Sequence, residues 1–171
     1  MQKDNIMKKT TSPQNGFTLI ELIIVMVILG IMAAVAVPRY LDSIENAEAS
    51  AEDAVISNLK AGLNQFANNS LYETGRATWP GNPFSSDAQK EVPAGYTGEF
   101  VYPAGKPEAD GEWTYIVIDN GLDDDFGKYD GKIAHQRADN TRYEWLYDNG
   151  ENGTGDDAKI GRVDNRRAFT E

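Results

Sequence analysis

The chain has 171 residues, 40% of them hydrophobic, a formal net charge of -11 and no cysteine. That leaves room for one modest domain with its own core plus an appendage. A field of this sign repels phosphate backbones, so no nucleic-acid partner is expected, and neither a disulfide framework nor a thiolate metal site can form.

Residues 1–16 carry Lys3, Lys8 and Lys9 against Asp4, a net of +2 that leaves -13 on the remainder. From Phe17 to Val37 the chain reads FTLIELIIVMVILGIMAAVAV, 21 residues with a single charge, Glu21. As a helix this run spans about 31 Å, against roughly 30 Å for the hydrocarbon core of a bilayer. The lysines before it place the N-terminus in the cytoplasm and the body on the far side. A secretory signal cut after Ala34-Val35-Ala36 is the competing reading, but the apolar part of such signals is roughly 7 to 15 residues long. Glu21 also requires a reason, because an ionised side chain costs on the order of 2.5 to 3.5 kcal/mol at bilayer mid-depth and less near an edge.

The string Gly16-Phe17-Thr18-Leu19-Ile20-Glu21, preceded by lysines and followed by an apolar run ending at Pro38, resembles the class III signal of type IV pilins and type II secretion pseudopilins. The likeness covers residues 8–40, about a fifth of the chain. It implies that a prepilin peptidase cuts between Gly16 and Phe17, that Phe17 is N-methylated, and that Glu21 becomes the fifth residue of the mature chain. It also implies insertion in the bacterial inner membrane, an assembly platform there, and a homo-oligomeric filament. Both Met1 and Met7 are compatible starts, since MKKTTSPQNG looks like a complete short leader of this kind. The electrostatics can be argued separately. Cleavage turns the amide of Phe17 into an ammonium, and two opposite charges about 4 Å apart attract by roughly 4 kcal/mol at an effective dielectric of 20, less the desolvation both suffer. Pairing of Glu21 with a neighbour's Phe17 amine, the partner the resemblance implies, would set an axial register, and a repeated head-to-tail contact gives an open filament.

Gly30 and Pro38 are weak points of the helix, one through backbone freedom and the other through a missing N–H. They are candidate breaks, between which the chain could unwind on passing from bilayer to filament; a simple kink at Pro38 is the alternative. Beyond them an amphipathic stripe runs Leu41, Ile44, Ala47, Ala51, Val55, Leu59, Leu63, Phe66, with Asp42, Glu45, Glu52 and Lys60 off it. The helix is expected from Phe17 to about Asn68, roughly 78 Å long, and to stop at Asn68-Asn69.

The division that follows is a cleaved leader at 1–16, a transmembrane and filament-core helix at 17–37, and a periplasmic or extracellular head at 38–171. Within the head, 38–69 is amphipathic helix and 70–111 is a Gly- and Pro-rich loop holding at most a short strand near Glu99–Tyr102. Trp79, Phe84 and Tyr96 are expected to pin that loop to the core. Residues 112–148 read as a sheet of three or four antiparallel strands, with Trp113–Ile118, Lys132–Gln136 and Tyr143–Tyr147 as its members. Residues 149–171 read as a loop and partly ordered tail. The fold class is α+β, a long N-terminal helix packed on a small antiparallel sheet, pilin-like.

Catalytic material is scarce. His135 is the only histidine and is read as a polar strand residue; the acids Asp156-Asp157 are not singled out among the 27 present, so no enzyme is expected. One loop stands out: Asp119-Asn120-Gly121-Leu122-Asp123-Asp124-Asp125, with Asp119, Asp123 and Asp125 as candidate calcium ligands. A solvated acidic turn is its alternative, and Asp148, Asn152 and Asp156 form a competing cluster. The resemblance agrees in kind, since major pseudopilins use calcium in a loop of the β-region. Two functions stand: a structural subunit of a type IV pilus-like or type II secretion pseudopilus filament, or a minor, membrane-anchored binding module that presents its head to a ligand. Glu21 favours the filament. Many type IV pilins tie their C-terminal region with a disulfide, which this chain cannot form, and that tilts the resemblance toward a pseudopilin or a cysteine-free pilin.

Overall fold

The computed structural model describes residues 16–88, 92–118, 129–150 and 160–170. The first described element is a helix, α1, spanning Leu19–Thr74. It runs through Gly30 and Pro38 without interruption, and through Asn68-Asn69 as well. The stop comes later because a stronger signal lies later. Gly75 takes the left-handed conformation, with φ 76°, and its N–H donates to Leu71 O at 3.0 Å, a glycine helix end.

The chain divides into two compact units, residues 1–46 and 47–171. In the first, the apolar helix from Leu19 onward is exposed along its whole described length. That exposure includes Leu41 and Ile44, which the sequence pattern assigns to the head's core.

Among its described residues the second unit holds the rest of α1 and five strands: β1 (Tyr96–Val101), β2 (Trp113–Val117), β3 (Gly131–Gln136), β4 (Arg142–Tyr147) and β5 (Arg167–Ala168). They form one sheet in the order β1-β2-β3-β4-β5. Two features correct the sequence reading. First, β1 pairs parallel to β2, so the sheet is mixed at that edge rather than wholly antiparallel. A parallel pair needs a connection that returns the chain to the starting end. Residues 102–112 supply it, lying against the sheet through Thr114 Oγ1 donating to Gly105 O (2.7 Å) and Arg142 Nε donating to Pro107 O (2.7 Å). Second, the tail contributes β5 and a bridge from Val163 to Tyr147.

Alternation along the strands puts successive side chains on opposite faces. One face, with Trp113, Tyr115, Ile133, Trp145 and Tyr147, packs on Ile56, Leu59 and Leu63 of α1 to form the main core. Trp113 stacks on Trp145 with ring centroids 5.5 Å apart. As expected for the loop aromatics, Phe84 is buried and Trp79 and Tyr96 are packed on the same cluster. The opposite face is buried too: Thr114, Ile116, Lys132, Glu144 and Leu146 are all at most 4% exposed. The close approach at Gly131 has a clear cause, since a Cβ there would overlap the Tyr115 ring.

Candidate assembly segment and the buried Glu52 cluster

The N-terminal segment is built on a capping box. Thr18 precedes the first helical residue; Glu21 N donates to Thr18 Oγ1 at 3.3 Å, and Glu21 Oε2 accepts from Thr18 N (3.3 Å) and Thr18 Oγ1 (3.1 Å). Helix starts leave donors without partners, and the T-x-x-E pattern meets two of them reciprocally. Thr18 and Glu21 thus hold each other, and Phe17 beside them is 89% exposed. The helix Leu19–Thr74 is long and apolar enough to cross a membrane, and its most apolar stretch is wholly exposed.

A second constellation lies in the head. Glu52, on α1, is only 1% exposed and receives three cationic or polar groups. Arg137 clamps it with two bonds, Nε to Oε1 at 2.7 Å and a terminal guanidinium nitrogen to Oε2 at 2.8 Å. Arg166 donates to Oε2 at 2.8 Å, and His135 Nδ1 lies 3.0 Å from Oε1. Burial opposes ionisation of Glu52, but the hydrogen bonds from Arg137, His135 and Arg166 outweigh it and hold the carboxyl at about 2. The same pairing pushes Arg137 upward. His135 is therefore no surface polar residue: it is buried, and its ring stacks on Trp113 at 4.2 Å.

The prokaryotic N-terminal methylation motif matches residues 11–37. Over 126 residues the chain is 34% identical to a fimbrial protein of Moraxella nonliquefaciens, covering 74% of this chain and 79% of that one. This chain belongs to the type IV pilin family. It is also 40% identical over 73 residues to a fimbrial protein of Neisseria meningitidis serogroup B, which is 43% of this chain and 39% of the relative. A type IV major pilin protein of Neisseria gonorrhoeae is 35% identical over 88 residues, 52% of this chain and 49% of its own. The chain thus spans between two-fifths and four-fifths of these relatives. No solved structure matches.

In this pilin, then, Gly16, Phe17 and Glu21 sit together at the start of the apolar helix. Gly30 and Pro38 lie inside the continuous α1. Asp119, Asp123 and Asp125 lie outside the described residues, as do Asn152 and Asp156. Asp148 is described and buried, with Oδ1 accepting from Gly150 N at 2.8 Å. Asp130 precedes β3, just beyond the Gly131–Tyr147 pair; its Oδ2 accepts from Asn149 N (2.6 Å) and Gly150 N (3.1 Å), while Oδ1 is buried with no hydrogen-bond partner among the described residues. Among those residues no three carboxylate or histidine groups converge on one point that could hold a metal.

Sequence reasoning missed the Glu52 cluster, although a signal existed. Residue 52 lies four before Ile56 and stands in phase with Ile56, Leu59, Leu63 and Ala67, the buried positions of α1. Ala51 was the apolar choice for that place on the stripe, and it is exposed. An acid in phase with a buried stripe needs a cation, and the adjacent arginines Arg166 and Arg167 were available in what read as a tail.

Proposed function

We propose that this pilin is a structural subunit of a type IV pilus-like filament, held in the inner membrane by α1 until it is polymerised through the same helix. The observation that carries this is the fully exposed apolar half of α1, headed by the methylation motif and bearing one carboxylate. A helix apolar all round is stable only where lipid or other helices cover it. The names of the relatives, fimbrial protein and major pilin, support a pilus over a pseudopilus.

Maturation in this reading proceeds by peptidase cleavage between Gly16 and Phe17 and methylation of the Phe17 amine, with the basic leader in the cytoplasm and the head across the membrane. The assembly platform then takes up a subunit whose Glu21 pairs with a neighbour's Phe17 ammonium. Local unwinding between Gly30 and Pro38 would let the helix adapt to the filament. Mass spectrometry of the mature chain should find N-methyl-Phe17 at its start; an N-terminus at Val37 would mean a secretory signal and no filament helix.

Glu21 has two roles to separate, because its carboxylate already caps its own helix. Glutamine preserves the reach-back of a capping box and lacks the charge. Glu21→Ala and Glu21→Gln should both insert in the membrane at least as well as the parent, and both should enter filaments poorly in cells lacking a wild-type copy. Normal incorporation of the Gln variant alone would reduce Glu21 to a cap. A head that serves as a membrane-anchored binding module would remain in the membrane fraction with or without the substitution.

Calcium binding in the head is kept as part of the proposal. Asp119, Asp123 and Asp125 are its ligands in this reading, with Asp148 in the competing cluster of Asp148, Asn152 and Asp156. The orphaned, buried Asp130 Oδ1 fits a cation. Bound there, the ion would neutralise acids that otherwise repel one another.

A further inference from the structure

The geometry points to a C-terminal strap, residues 160–170, that is fastened to the head by short backbone pairing and by charge and opens independently of the rest of the sheet.

Its regular pairing is short. β5 is two residues long, one bridge joins Val163 to Tyr147, and single backbone bonds run from Gly161 N to Asp148 O, Asp164 N to Leu146 O and Phe169 N to Arg142 O. Charged side chains add to this fastening. Arg166 and Arg167 are consecutive on an extended segment, so they point to opposite faces of the sheet. Arg166 reaches Glu52 on the helix side at 2.8 Å, and Arg167 Nε reaches Glu144 on the other side, also at 2.8 Å. The end of the strap folds over that second face, where Lys132 Nζ donates to Thr170 O (2.7 Å) and lies 4.3 Å from the Phe169 ring centroid. The strap is basic, with three arginines and one aspartate, on a protein of net charge -11.

Removing one partner of a buried pair is usually very costly, because the other charge is left without compensation. Here that penalty is avoided. Glu52 keeps Arg137 and His135 when Arg166 leaves, and Glu144 keeps Lys132, 3.2 Å away, when Arg167 leaves. The two arginines, 30% and 39% exposed, gain water. Apolar anchorage comes from Val163 and the partly buried Phe169, with Ile160 and Gly161 packed against Gly150 and Trp79 at the strap's start. Local opening free energies follow such differences in buried contact.

Amide hydrogen exchange on the full-length chain in detergent micelles tests this. The reporters are Asp164 N–H, bonded to Leu146 O at 3.0 Å, and Phe169 N–H, bonded to Arg142 O at 3.1 Å, read against the ladder amides of Ile133 and Trp145. The strap amides should exchange at least ~10-fold faster than the ladder, and the ratio should widen in 0.5 M salt, which screens exposed charge pairs, and in R166Q/R167Q. R162Q removes one arginine charge of the same strap from an exposed position and should leave the ratio unchanged. Equal exchange of strap and ladder overturns the proposal. So does an R166Q/R167Q chain in which all four amides speed up together, since that is one cooperative unit.

Discussion

Replacing Glu52 with alanine should be among the most destabilising single changes in the head. The substitution deletes the acceptor of four close contacts and leaves Arg137, 2% exposed, as a buried cation without its carboxylate. Breaking a buried pair from one side costs about 3 to 5 kcal/mol. An independent route gives a similar figure. The carboxyl falls from an ordinary 4.5 to about 2 in the folded head, and at roughly 1.4 kcal/mol per pH unit this is on the order of 3 kcal/mol. Since the folded value is depressed, this contribution is complete above about pH 4.5 and disappears as pH falls through about 2. For a head of this size, about 3 to 5 kcal/mol lowers the melting temperature by roughly 10 to 20 °C. Near-UV circular dichroism of the full chain in micelles at pH 7 reads the loss, with Asp53→Ala as the control because Asp53 is 70% exposed and should shift melting by no more than a degree or two. The difference between parent and Glu52→Ala should shrink as the melts are repeated toward pH 2. A Glu52→Ala protein that melts with the parent at pH 7, or a gap that persists unchanged at pH 2, would refute the reasoning.

Gly131→Ala forces a methyl group into the Tyr115 ring, which is fully buried against the core, and should cost about 1 to 3 kcal/mol in the same melt. Tolerance of alanine there would mean that the ring has room to move. Leu63→Ala empties a site that is 0% exposed beneath the sheet and should cost about 2 to 5 kcal/mol, whereas Leu41→Ala, on the exposed part of α1, should leave head stability unchanged and act only on assembly. Calcium should stabilise the head by about 2.7 kcal/mol at a hundredfold excess over its dissociation constant, read as a higher melting temperature than in chelator. Coincident melts at millimolar calcium would leave the 119–125 loop a solvated acidic turn.

How much of this was legible beforehand follows from the range of the interactions involved. The apolar run from Phe17 and the positions of β2, β3 and β4 within a residue or two depend on neighbours close along the chain, and they could be read from spacing. α1 ends at Thr74 rather than at Asn68-Asn69 because helix ends respond to the residue that can adopt positive φ, here Gly75. The direction of β1 was not legible, since parallel pairing depends on where residues 102–112 cross the sheet. Glu52 and the strap are the clearest case. An acid on a helix is ordinarily solvated, and a Gly-, Asn- and Asp-rich tail is ordinarily loose. Only when the fold brings residues 52, 135, 137 and 166 within hydrogen-bond distance does burial become tolerable, because a carboxylate can leave water only where cations from distant parts of the chain replace it. The sequence alone determined the family, the α+β class and the membrane-length helix; the tertiary structure decided which charges go inside and what holds the C-terminal segment to the head.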